Sequence, residues 1–174
     1  MAIIVDTNCF SRVFSRSDKE HKEFEPVLNW IINGSGFLVY GGSKYKAELK
    51  KSSAFIKIFR LLKDYHKALS FSDTLIDKYQ RQYEALIQDP DFDDPHLPAI
   101  VKASKCRIIC TKDERSRPFV TSTNLYPKRF HTPMYYTGLR DQHLLCDANI
   151  DKRLLSQRQQ LNKKEKAILA SVFM

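Results

Sequence analysis

Short apolar runs alternate with segments of helical period along this chain. Ala2-Ile3-Ile4-Val5 is an unbroken apolar run rich in β-branched residues and ended by Asp6. Such a run predicts a strand buried on both faces, as in a parallel sheet. Phe24, Val27, Leu28 and Ile31 recur at helical spacing, and Asn33-Gly34 stops the helix they predict. Phe37-Leu38-Val39-Tyr40 reads as a second strand, followed by Gly41-Gly42-Ser43. Ser43 is placed to cap a helix starting at Lys44, with Tyr45 and Leu49 on one face. Phe55, Ile58, Phe59 and Leu62 carry helical period on to about Tyr65. Ala68-Leu69-Ser70-Phe71 reads as a third strand. Ser72 or Asp73 then caps a helix bearing Ile76, Tyr79, Tyr83 and Leu86. After an acidic, turn-rich stretch from Gln88 to Pro95, Pro98 falls near the start of a helix carrying Leu97, Ile100, Val101 and Ser104. Arg107-Ile108-Ile109-Cys110 is a further buried strand. Residues 115–150 are irregular apart from a strand near Met134-Tyr135-Tyr136. Gln157 to Val172 reads as a basic helix with Leu161, Ile168 and Leu169 as its stripe. This alternation predicts an α/β fold, a three-layer α/β/α arrangement on a mostly parallel central sheet. No repeat or linker divides it, so residues 1–174 read as one domain with an extended basic C-terminal part from about 115.

Composition narrows the class. The chain is 43% hydrophobic, and its 5 Gly and 7 Pro are too few for a collagenous or low-complexity chain. No apolar run approaches the roughly 18 residues of a membrane span. The first residues lack a basic leader and meet a charge at Asp6, unlike a signal peptide. Cys9, Cys106, Cys110 and Cys146 form no C-x-x-C pair, so they read as reduced, buried thiols rather than a zinc site. The expectation is a soluble cytoplasmic protein with no membrane partner.

Charge adds a direction. Formal net charge is +9, yet residues 1–98 hold 14 basic and 14 acidic groups. Residues 99–174 hold 15 basic against 6 acidic groups and so carry the whole excess. That asymmetry suggests a polyanion-binding face, with a merely solvated basic surface as the plain alternative. Tyr126, Arg129, Phe130, Tyr135, Tyr136 and Arg140 interleave rings with guanidinium groups, which suits stacked single strands. Rings at such spacing nevertheless belong to cores more often than to base platforms.

Four acids stand where an open α/β sheet collects its chemistry, outside the carboxyl ends of the strands. Asp6 ends the first strand, Glu48 lies within two turns of the helix after the second, Asp94 opens another helix, and Asp113 follows the Arg107–Cys110 strand. Taken singly, each has an ordinary role as a cap, a turn residue or a solvated helix position. Brought together they would repel unless cations neutralised them. Oxygen-only ligands point to a hard ion, Mg²⁺ or Mn²⁺, and a pair of such ions is a general device for phosphodiester cleavage. His96 sits close by, but a helix-surface or satisfied core histidine is the commoner reading. The remaining histidines, His21, His66, His131 and His143, form no pattern. Asp6-Thr7-Asn8 lacks the Asp-x-Asp of an aspartyl phosphotransferase, and no G-x-G-x-x-G follows the first strand.

Val5-Asp6-Thr7-Asn8 after an apolar strand resembles the opening of the PIN-domain nucleases. Ser43-Lys44-Tyr45-Lys46-Ala47-Glu48-Leu49 resembles the family's second acidic segment, and Asp93-Asp94-Pro95-His96-Leu97-Pro98-Ala99 through Thr111-Lys112-Asp113 its third motif and closing acid. The resemblance covers residues 1 to about 120. It implies a PIN-like fold, with Asp6, Glu48, Asp94 and Asp113 as the metal-binding catalytic acids and Asn8 and Thr111 as polar neighbours that orient them. Asp91 and Asp93 compete with Asp94 for the third place, and Glu114 competes with Asp113. It further implies a Mg²⁺- or Mn²⁺-dependent endoribonuclease, similar to toxin-type or defence-type members. RNA would be the substrate, an antitoxin or other regulatory protein a partner, and a homodimer an open assembly. The alternative is a non-catalytic RNA-binding or scaffold protein on the same fold. The chain runs on for 61 residues past Asp113, longer than compact members. Arg115, Arg117, Lys128, Arg129, Arg140, Lys152, Arg153, Arg158 and Lys163 lie there. The expectation is that they supply the grip on RNA, with Lys128, Arg129 and Arg140 foremost.

Overall fold

A computed structural model describes residues 2–128, 130–146, 154 and 160–173. Among these residues five strands are seen: β1 (Ala2–Val5), β2 (Phe37–Gly41), β3 (Ala68–Phe71), β4 (Ile108–Cys110) and β5 (Met134–Tyr136). They form one sheet in the order β3-β2-β1-β4-β5, and every pairing is parallel. The apolar runs sit where their composition requires. β1, β2 and β4 are buried along their whole length in the middle of the sheet, whereas the edge strands β3 and β5 are partly exposed.

Among the described residues the helices are α1 (Phe10–Phe14), α2 (His21–Ile32), α3 (Ser43–Leu49), α4 (Ser53–Asp64), α5 (Asp73–Leu86), α6 (His96–Ser104), α7 (Arg117–Val120) and α8 (Lys163–Val172). Parallel crossovers are right-handed, which sends α1 to α4 to one face of the sheet and α5 and α6 to the other. The packing agrees: α8 lies against α2 and α4, while α5 packs on α6, and α6 in turn lies over β1, β2 and β3. The result is three layers. β1 and β4 are neighbours whose following segments leave toward opposite faces, so a crevice opens beyond their carboxyl ends. No helix among the described residues is long and apolar enough to cross a membrane.

Several local expectations need correction. Ser43 does not cap α3. Gly42 holds the cap position, and the carboxylates of α5 accept the free N–H groups, Gly42 N–H to Asp73 (2.9 Å) and Ser43 N–H to Asp77 (2.8 Å). The last helix starts at Lys163 rather than Gln157, behind an Asn162–Glu165 capping box; Gln157 itself lies outside the described residues. Leu161 is buried ahead of the helix, and Ile168 is exposed. Cys9, Cys106 and Cys110 are buried free thiols as expected, but Cys146 is exposed. Tyr126, Tyr135 and Tyr136 belong to the core, with hydroxyls bonded to main-chain or side-chain oxygens, so they offer no open platform for bases.

Gly42 links β2 to α3 at φ +84°, a conformation that L side chains rarely adopt, and an added Cβ would stand 2.6 Å from Ile76 Cγ2. Gly42→Ala therefore meets backbone strain and a clash with a fully buried side chain. It should cost about 2–4 kcal/mol, read as a lower midpoint in urea melts with the slope unchanged. A midpoint equal to that of the parent would show that the α5–α3 junction adapts.

Candidate metal centre

The crevice beyond β1 and β4 is built on Asp6. Its N–H donates to Cys110 O (2.9 Å), continuing the β1–β4 ladder by one step and holding the side chain at the end of the sheet. One carboxylate oxygen, Oδ2, accepts from Asn8 Nδ2 and from Thr111 Oγ1, each at 2.7 Å, while Oδ1 accepts weakly from Asn8 N–H at 3.4 Å. Thr111 Oγ1 also accepts from Asp113 N–H (3.0 Å) and Asn8 Nδ2 (3.3 Å). Asn8 and Thr111 thus fix the Asp6 carboxylate. Asp6 is only 2% exposed. Burial raises its pKa to about 6, against the Thr111 hydrogen bond, and the nearby charges of Asp94 and Glu48 push the same way.

Glu48 arrives from α3. The buried Tyr45, one turn earlier, donates its hydroxyl to Val5 O (2.6 Å), which ties α3 to the end of β1. Glu48 Oε2 accepts from Thr7 Oγ1 at 2.8 Å. Asp94 stands ahead of α6, its main-chain oxygen accepting from Leu97 N–H. Burial raises the Asp94 pKa against the attraction of Lys44, whose Nζ lies 3.4 Å from Oδ1. Asp6, Glu48 and Asp94 line one open cleft of about 380 Å³, together with Thr7, Asn8, Lys51 and Ser52 and the rings of Phe10 and Phe55. The alternatives for the third acid lie outside it. Asp91 and Asp93 are exposed and face Arg115, so Asp94 is the acid that shares a cleft with Asp6 and Glu48.

Asp113 is close but differently employed. Its carboxylate lies near those of Asp93 and Asp94, with ligand atoms all within 4.8 Å of one another, yet it does not line the cleft. Arg115 grips it through Nε and Nη2, both at 3.0 Å, and the same Nη2 reaches Asp93 Oδ2 at 3.0 Å. Although partial burial opposes it, the guanidinium leaves the Asp113 pKa below the ordinary range. Arg115, expected to face substrate, is spent on these acids. Arg140 likewise pairs with Glu114 Oε1 (3.1 Å) and donates to Thr137 Oγ1. Lys128 is exposed, neither it nor Arg140 lines the cleft, and Arg129 lies outside the described residues.

The residue that sequence reasoning undervalued is His96, which is neither on the surface nor a satisfied core histidine. Its ring is completely buried, and both ring nitrogens lack a hydrogen-bond partner. Nδ1 lies 3.6 Å from Asp94 Oδ1 and Nε2 3.9 Å from Glu48 Oε2. Burial, aided by Lys44, lowers its pKa to about 3, so the imidazole is neutral at physiological pH. Ligand atoms of Glu48, Asp94 and His96 lie within 4.8 Å of one another and can hold a metal ion. The expected oxygen-only donor set therefore has a nitrogen beside it. Its place two residues after Asp94, in the first turn of α6, was the available clue. Neither a known family model nor a curated protein matches the chain.

Proposed function

We propose that this chain is a divalent-metal-dependent endoribonuclease of the PIN-domain type. The observation that carries the reading is the convergence of Asp6, Glu48 and Asp94 on one cleft at the point where the sheet's connections diverge. Two of these acids have raised pKa values caused first by burial, with neighbouring carboxylates pushing the same way and, at Asp94, Lys44 opposing. The oxygen donors fit Mg²⁺ or Mn²⁺. A bound ion of this kind would neutralise phosphate charge and lower the pKa of an attacking water.

The protein's own groups do the rest. Asp6, Glu48 and Asp94 would hold the ion, with Asn8 and Thr111 fixing Asp6 and Thr7 fixing Glu48. Lys51 and Ser52, on the cleft wall, are placed to meet a phosphate, and the openness of the cleft suits an extended single strand. The basic excess after residue 98, though partly cancelled in space by ion pairs, supports a polyanionic substrate, and the motif resemblance makes RNA the polyanion proposed.

The test is cleavage of labelled single-stranded RNA by the purified chain. Mn²⁺ or Mg²⁺ should support cutting that leaves a 5′-phosphate, and a chelator should silence it. Undiminished cutting in EDTA would overturn the metal mechanism. RNA bound but left whole with either ion would instead favour the scaffold reading.

A further inference from the structure

His96 is unusual among the described residues because both nitrogens of a wholly buried ring lack partners. An uncompensated buried polar group costs free energy, and one aimed at a functional cleft calls for a ligand. His21 shows the contrast: its Nε2 is also unpartnered, but its Nδ1 bonds Arg12 O at 2.8 Å. The His96 ring is held by edge-on contact with Tyr45, the residue that fixes α3 to β1. Its two nitrogens face the carboxylates of Asp94 and Glu48, at distances too long for hydrogen bonds but suited to an ion shared among the three.

We propose that His96 is a nitrogen ligand of this centre, which makes it a mixed nitrogen–oxygen site selective for a first-row transition ion such as Mn²⁺ over Mg²⁺. The inference rests on the metal reading above and adds the class of ion. Mg²⁺ takes oxygen ligands and gives up water reluctantly, whereas imidazole suits first-row transition ions. Binding through one ring nitrogen would leave the other as an N–H donor to the carboxylate it faces. That is the usual arrangement of metal-bound histidines: the ion would satisfy one orphaned nitrogen, and the other would be met once the carboxylate it faces shifts to hydrogen-bonding distance. Glu48 already accepts from Thr7 Oγ1, so its carboxylate is oriented before any ion arrives.

The experiment is pulsed EPR on the whole chain loaded with one equivalent of Mn²⁺, prepared with natural and with ¹⁵N-labelled histidine. The expected result is nitrogen modulation that changes from the ¹⁴N to the ¹⁵N pattern on labelling and disappears in His96→Gln. In the same variant Mn²⁺ affinity should fall roughly tenfold or more, while Mg²⁺ affinity changes by less than about threefold, as expected when a nitrogen ligand that Mg²⁺ scarcely uses is removed. If the variant fails to fold, the labelled parent decides alone. Bound Mn²⁺ with no histidine nitrogen coupling would overturn the proposal and leave the all-oxygen metal reading standing. Failure to bind Mn²⁺ at all would overturn both.

Discussion

On the proposed metal mechanism, Asp6→Asn is expected to lower RNA cleavage by roughly a hundredfold or more, as loss of a metal ligand would forfeit several kcal/mol of charge stabilisation. The same change should stabilise the metal-free protein at neutral pH. The Asp6 carboxyl is raised from 3.8 to about 6 in the folded state, chiefly by burial. Its contribution is therefore fully present below about pH 3.8 and is lost as pH rises through about 6. At pH 7 the variant escapes that penalty, worth up to about 3 kcal/mol. His96 acts in the opposite sense, because its folded pKa is depressed to about 3. Its contribution fades as pH falls from about 6.5 toward 3, so the two slopes partly cancel in the parent protein. Melting both proteins in EDTA from pH 4 to 8 isolates the Asp6 part as their difference. That difference should grow between pH 4 and 7. A constant difference would show that Asp6 is not a strained, buried carboxyl.

The second large effect separates Asp94 from its neighbours. Asp94→Asn should reduce cleavage and Mn²⁺ binding on the same scale as Asp6→Asn, because Asp94 shares the cleft with Asp6 and Glu48 and faces His96. Asp91→Asn should change cleavage less than about threefold, since Asp91 is 58% exposed and touches only the edge of Arg115 at 3.9 Å. Isothermal titration with Mn²⁺ and a gel assay on the two variants give the comparison. An inactive Asp91 variant beside an active Asp94 variant would move the third acid by three residues and dissolve the cleft as drawn.

How far the sequence reveals this protein depends on the range of the forces involved. β1, β2 and β4 were legible because a strand covered on both faces must be apolar throughout, and that is a local property of each run. Asp6 was legible as the acid that ends β1, and Glu48 and Asp94 as acids in or just ahead of the helices α3 and α6, which topology brings to the same end of the sheet. The cap of α3 was not, because its acceptors Asp73 and Asp77 lie some thirty residues onward. His96 was misjudged for a similar reason: only the docking of α6 and α3 decides whether its ring is solvated. The charge asymmetry is also weaker in space than along the chain. Lys112 and Arg115, counted in the basic part, pair with Glu20 and Asp93 of the neutral part. An imbalance along the chain is thus partly cancelled in space.

The hydrogen bond from Thr111 to Asp6 joins groups 105 residues apart and accompanies the pairing of Ile4 with Ile109. Because β1 is the central strand, its second edge stays open until β4 has been made. Synthesis at roughly 5–20 residues per second leaves Asp6 waiting about 5–20 s for Thr111. Contacts of such separation also form late when the free chain folds, since the long intervening loop must be closed first. A nascent chain ending near Ser104 already contains Asp6, Glu48, Asp94 and His96, but it lacks the strand that locks Asp6 in place. Competence to bind metal should therefore arise abruptly, once the sheet is joined across β1 and β4.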